Sequence, residues 1–168
     1  LLAHGDVTRL LVDLSKHPSD PARFSRYSQT LTPDQKQKLD DRHLGNFHNA
    51  LSQRITAAMQ HGGPALHLSL RTSSAMNADV EFRHSGGREI EAMIANQWAT
   101  GLRSALPEVV VKVVTDDSYG LSTYLREMNT GNFGSISVVV TATSFLDGKP
   151  VRWDQLKKHL LATLPPVA

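Results

Sequence analysis

The sequence predicts an α+β fold, and three observations carry that reading. Apolar residues recur at helical spacing up to Gly62-Gly63-Pro64. Strict apolar/polar alternation of the kind a strand shows begins only after that point. Beyond it the pattern switches between the two periods several times, as it must when helices pack against a sheet. The expected order is three N-terminal helices and then β-β-α-β-α-β-α, with a mixed sheet of four or five strands covered by helices. Residues 1–62 are expected to form a helical segment and residues 63–168 the sheet domain, together one compact piece of a larger protein.

Each element has its own local cause. Asp6 is placed to cap a first helix whose inner side would carry Val7, Leu10, Leu11 and Leu14, ended by His17-Pro18 because a residue before proline is pushed out of the helical region. Ser19-Asp20-Pro21 opens a short second helix with Pro in its first turn, contributing Phe24 and Tyr27. Thr32-Pro33-Asp34-Gln35 combines a capping hydroxyl, Pro at the first helical position and Gln at the third, the signature of a capping box. The helix it starts carries Leu39, Leu44, Phe47, Leu51, Ile55, Ala58 and Met59 and stops at Gly62-Gly63-Pro64.

Leu66, Leu68 and Leu70 alternating with His67, Ser69 and Arg71 predict a half-buried strand, as do Val80 and Phe82 between Asp79, Glu81 and Arg83. Ser85-Gly86-Gly87 leads into a helix with Ile90, Met93, Ile94, Trp98, Leu102 and Leu106 on its inner side. The valine-rich run Glu108–Val114 has no polar face and predicts a central strand covered on both sides. Asp116-Asp117-Ser118 is expected to cap a short helix with Leu121, Tyr124, Leu125 and Met128, ended by Gly131. Ser135–Thr143 is a β-branched strand, Asp147-Gly148 a turn across which Lys149–Val151 pairs back, and Trp153–Leu164 a last amphipathic helix broken by Pro165-Pro166.

Composition narrows the function classes. The absence of cysteine excludes thiol nucleophiles, disulfide staples and cysteine-ligated zinc. The longest apolar runs are too short for a membrane span. The chain opens on Leu1 with no basic-then-apolar leader, which reads as a processed or excised piece and leaves the compartment unassigned. Formal charge is only +2, and residues 1–62 hold that excess together with five of the eight histidines. No Lys/Arg cluster with interleaved aromatics marks a nucleic-acid surface.

Candidate chemistry centres on His67-Leu68-Ser69-Leu70. Residues two apart on a strand point the same way, so His67 and Ser69 share a face. The pattern resembles half of the paired motif of two-histidine phosphoesterases, where two imidazoles serve as acid and base and hydroxyls hold the phosphodiester oxygens. That resemblance implies a phosphoester hydrolase with His84, at the end of the next strand, as the second imidazole. Ser85-Gly86-Gly87-Arg88 offers backbone N–H groups at a helix start and a guanidinium, an anion-binding arrangement. Glu89 and Glu91 read as acids favoured by the helix dipole in a first turn. His43 and His48 are five apart, the wrong spacing for a helical metal pair, so no metal and no cofactor is expected.

The reading favoured by this inventory is a non-catalytic interaction or assembly domain of a bacterial protein, binding a protein partner or itself through its helical N-terminal part. The order α-β-β-α-β from Pro33 to Val114 resembles small modules that build rings and secretion assemblies. The alternatives are the phosphoester hydrolase and a weak nucleic-acid or anion binder.

Overall fold

The computed structural model describes residues 8–60, 63–118, 120–142 and 150–166, with side chains from Trp153 onward in the last helix. It is α+β with a four-stranded mixed sheet. The chain divides into two compact units, Leu1–Ala65 with Ser118–Phe133, and Leu66–Asp117 with Gly134–Ala168. The division expected at Gly62 assigned residues 118–133 to the sheet domain; in the structure they join the helices of the first unit.

In the first unit, residues 8–16 form turns instead of the expected helix, whose cap at Asp6 lies outside the described residues. Leu10 and Leu11 are exposed, and the buried residue is Val12, which pairs with Phe24 in an antiparallel bridge. Asp13 competes with helix formation by taking the N–H of Ser15 two residues on. Asp20 caps Pro21–Arg23 as expected, but only one 3₁₀ turn follows, with Phe24 buried and Tyr27 exposed.

The expected capping box is present in both arms. Gln35 N–H donates to Thr32 Oγ1 at 3.3 Å, and Thr32 N–H donates to Gln35 Oε1 at 3.0 Å. Helix α1, Pro33–Leu39, passes through a π-helical stretch, Asp40–Gly45, into α2, Asn46–Gln60. The wide turn accommodates the five-residue step between the apolar positions Leu39 and Leu44. Leu51 and Ile55 pack with Ala65, Phe133, and Leu121 and Leu125 of α4, Leu121–Met128. Because Thr32 satisfies an otherwise orphaned N–H, Thr32→Ala is expected to lower stability by about 1 kcal/mol and Thr32→Asp to be near neutral. Denaturant midpoints of the three chains check this, and equal midpoints for Thr32→Ala and wild type would refute it.

The second unit holds the sheet apart from Ala65 and Phe133, the first residues of two of its strands. Its strands are β1 (Ala65–Ser73), β2 (Val80–His84), β3 (Val111–Thr115) and β4 (Phe133–Thr141), in the order β1-β4-β2-β3. β2 runs parallel to β3 and antiparallel to β4. Ala65 N–H donates to the Asn132 carbonyl and Ala142 N–H to that of Ser73, so β1 and β4 are tied start to start and end to end, in the parallel sense.

Helices α3 (Glu89–Ala105) and α5 (Pro150–Ala162) supply the apolar cover. Val80, Phe82, Val111, Ile136, Val138 and Val140 meet Ile94, Trp98, Leu102, Leu156 and Leu160 in one core. Phe82 and Trp98 lie 4.8 Å apart between ring centres, and Trp98 Nε1–H donates to the Leu160 carbonyl at 3.0 Å.

The valine-rich run is not the central strand. β3 lies at the sheet edge with Lys112 and Thr115 exposed, and Val110 before it is 52% exposed. The strand buried at every position is β4. Asp116 and Asp117 do not cap α4, whose N-cap is Gly120 without a side-chain bond. The turn at Asp147-Gly148 lies outside the described residues, and Pro150 and Val151 begin a helix rather than pair as a strand.

Candidate functional site

The sheet has one apolar and one polar face, and alternation assigns each residue to its side. Ser135 and Ser137 are two apart on β4 and share a face. His67 joins them, since its Nδ1 lies 2.8 Å from Ser135 Oγ. Arg83 is the register partner of Ser137, and Glu81 that of Val139, so β2 adds both charged residues to this side. Ser69 and Arg71 follow His67 at two-residue steps along β1. The result is a polar face built from three neighbouring strands, buried along β4.

On that face the charged groups are organised. Arg83 Nε and Nη2 donate to Glu81 Oε2 at 3.0 and 2.7 Å, and its Nη1 reaches Asp116 Oδ2 at 3.5 Å. Glu81 is buried at 9% exposure beside this guanidinium, which offsets the cost of removing its charge from water. Ser135 is 1% exposed, and its hydroxyl lies against the His67 ring. His67 itself is half-buried.

The structure does not bring His67 and His84 together. His84 follows Arg83 and therefore points to the opposite, apolar face, where it is buried with Nδ1 2.9 Å from its neighbour's carbonyl at Ser85. By that parity the two imidazoles lie on opposite sides of the sheet.

The glycine turn is also engaged. Ser85 Oγ–H and Gly86 N–H donate to Asp117 Oδ1 at 2.7 and 2.9 Å, and Ser85 N–H donates to Glu91 Oε2 at 3.0 Å. The donors expected at Ser85, Gly86 and Gly87 to bind an external anion thus hold the chain's own carboxylates; Gly87 N–H turns back to Ser85 Oγ at 3.3 Å. A Cβ at Gly86 would stand 3.1 Å from Asp117 Oδ2, which explains glycine there. Arg88 is the N-cap of α3 and makes no side-chain cap bond.

Two residues central to this geometry escaped the sequence reading. Ser135 was visible only as part of a β-branched strand, although the small polar residues at 135 and 137 between apolar ones signal its polar face. Glu91 read as a helix-dipole acid, yet it is fully buried and bonds two backbone amides.

The first unit carries a separate aromatic cluster. His48 of α2 stacks on Tyr124 at 4.6 Å, and His17 meets the same ring edge-on at 5.6 Å. His17 Nε2 lies 3.0 Å from Glu127 Oε2, and its Nδ1 accepts the Ser19 N–H. His48 is 6% exposed, and its Nε2 has no hydrogen-bond partner among the described residues. Burial, and next the charge of His17, push His48 down to about 4, with Asp40 pulling in the other direction. No three His, Asp or Glu side chains gather as a metal site among the described residues. No helix among them is long and apolar enough to cross a membrane.

No protein-family model and no curated protein matches the sequence. Solved structures do match the fold. The crystal structure of an N-formylglutamate amidohydrolase from Ralstonia eutropha JMP134 superposes with a TM-score of 0.67 at 16% identity, over 93% of this chain and 72% of that one. A gene product of Agrobacterium tumefaciens matches with a TM-score of 0.57 at 13% identity, over 92% of this chain and 67% of that one. The expectation of a non-catalytic assembly domain is corrected by this finding. It rested mainly on the lack of a convergent polar constellation in the sequence, with element order as an analogy, whereas the architecture shared along nearly the whole chain is one that a protein described as an amidohydrolase uses.

Proposed function

We propose that the chain is a hydrolase that cleaves the amide bond of small N-acyl amino acids on the polar face of its sheet. The observation that carries this reading is the His67–Ser135 pair, 2.8 Å apart on a surface shared with Ser69, Arg71 and Arg83. The fold likeness to a protein described as an N-formylglutamate amidohydrolase supports the reaction class and suggests the substrate.

The chemistry follows from the pair. With the proton of the neutral ring on Nδ1, His67 donates to Ser135 Oγ, 2.8 Å away, and Nε2 is left as the base. Nε2 takes a proton from water as its oxygen adds to the amide carbonyl carbon. The same proton passes to the leaving nitrogen when the C–N bond breaks, giving a carboxylic acid and a free amine. Arg71 supplies the cation for the substrate carboxylate, and Ser69 an adjacent hydroxyl.

The test is release of formate or acetate from a panel of N-formyl and N-acetyl amino acids with acidic, neutral and basic side chains. The intact chain is expected to cleave acidic members fastest. His67→Ala should lower kcat by about 100-fold or more, the usual contribution of a positioned acid–base group, with unchanged melting. No release from any member, or a His67→Ala chain as active as wild type, would overturn the proposal.

A further inference from the structure

We infer that Glu91 is a positioning residue for the His67–Ser135 pair, a step that rests on the hydrolase reading above. The β2–β4 ladder ends at Arg83↔Ser137. Continued by one further hydrogen-bonded step, it would bring Ser85 opposite Ser135. The chain instead turns away at Gly86, and the amides of both residues are claimed by one side chain. Ser135 N–H donates to Glu91 Oε1 at 2.8 Å, and Ser85 N–H donates to Glu91 Oε2 at 3.0 Å. Glu91 is a carboxylate wedge between two strands at the point where they part.

The packing shows that the site is built around this side chain. Glu91 is 0% exposed, and a buried carboxylate is tolerated only where donors compensate its lost hydration. A Cβ at Gly134 would stand 3.3 Å from Glu91 Cγ and 3.4 Å from Leu66 Cδ1, so residue 134 must be small for the wedge to seat. The apolar face, α3 and the start of β4 are thereby locked to one another. The consequence appears on the other face: with its amide pinned by Glu91, Ser135 has one backbone setting, and its Oγ meets His67 Nδ1. Glu91 acts on the pair through the Ser135 amide.

Glu91→Gln presents an NH₂ group where one of the two amides now finds an oxygen, so one backbone donor is left facing another donor. Two readouts on the intact chain test the inference. Steady-state kinetics on the N-formyl amino acid that wild type cleaves fastest should show kcat lowered about 10- to 100-fold with KM little changed, as expected for a small misplacement of the reacting groups. Ring-nitrogen NMR shifts of His67, assigned against His67→Ala, should show a changed tautomer balance at a pH where both chains are folded by thermal melting. Unchanged kcat together with unchanged His67 shifts overturns the inference. A wild-type chain without hydrolytic activity, but with His67 shifts that move in Glu91→Gln, removes the hydrolase reading and leaves the positioning role supported. Should Glu91→Gln not fold, Gly134→Ala is read the same way, since its methyl displaces the same carboxylate by tenths of an ångström. Shifted His67 resonances there support the inference, and unshifted ones overturn it.

Discussion

Val138→Asp is expected to unfold the sheet unit, at a cost of about 4 kcal/mol or more. Val138 is 3% exposed in the middle of β4, and its side chain lies among Phe82, Trp98 and the other core residues of the apolar face. A carboxylate there is set among apolar side chains, so it must either drag water in or take up a proton, and both disrupt the packing. Total stability of a domain this size is only about 5–15 kcal/mol, so one such change consumes a large part of it. Val114→Thr on the edge strand is the matched control. Val114 is half-buried and pairs in register with Arg83 on the polar side, and the exchange is expected to cost about 1 kcal/mol or less. Thermal melts of the two variants beside wild type decide the matter. A soluble Val138→Asp chain melting cooperatively near the wild-type temperature would show that β4 is not the centre of the sheet.

That contrast also shows how far pattern alone carries. The valines at 109–111, 113 and 114 were read as a strand covered on both sides because they leave no polar alternation. Hydrophobicity without alternation is consistent with double burial but does not demand it. β3 ends up on the edge, with its Lys112 and Thr115 exposed. β4, which alternates small polar and apolar residues, is the strand buried throughout because it has neighbours on both sides. Strand order is a tertiary property, set by which faces find partners, and local sequence does not encode it. Local signals with a specific bonding mechanism fared better. The capping box at Thr32 and the turn at Asp20-Pro21 each name a donor and an acceptor a few residues apart, and both bonds are present.

The candidate site was legible in one strand only. His67 and Ser69 share a face by parity, and that much needs no tertiary information. Pairing His67 with His84 required knowing which way β2 registers on β4, and the register Arg83↔Ser137 puts His84 on the far side. The true neighbour, Ser135, lies 68 positions away in the chain. The glycine turn shows a related limit. Its donors are oriented as an anion site requires, but Asp117, distant by 31 positions, fills it from within.

Acidification is expected to destabilise the first unit through His48. In the folded chain burial, reinforced by His17, lowers His48 from the ordinary 6.5 to about 4. Between those two values the unfolded chain binds a proton that the folded chain does not, so stability falls as pH falls through that window. The contribution is fully present above pH 6.5 and largely spent near pH 4, and 2.5 units at 1.36 kcal/mol each amounts to about 3 kcal/mol. The physical origin is plain in the packing. His48 stacks on Tyr124, is 6% exposed, and has no hydrogen-bond acceptor at Nε2 among the described residues to receive a second proton's charge. His48→Phe keeps a ring against Tyr124 and removes the titration. Denaturant midpoints at pH 7, 5.5 and 4.5 should fall more steeply for wild type than for His48→Phe, the gap widening toward the acid end. Parallel curves for the two chains would mean that His48 is accessible to protons in the folded state and that its burial carries no linkage to stability.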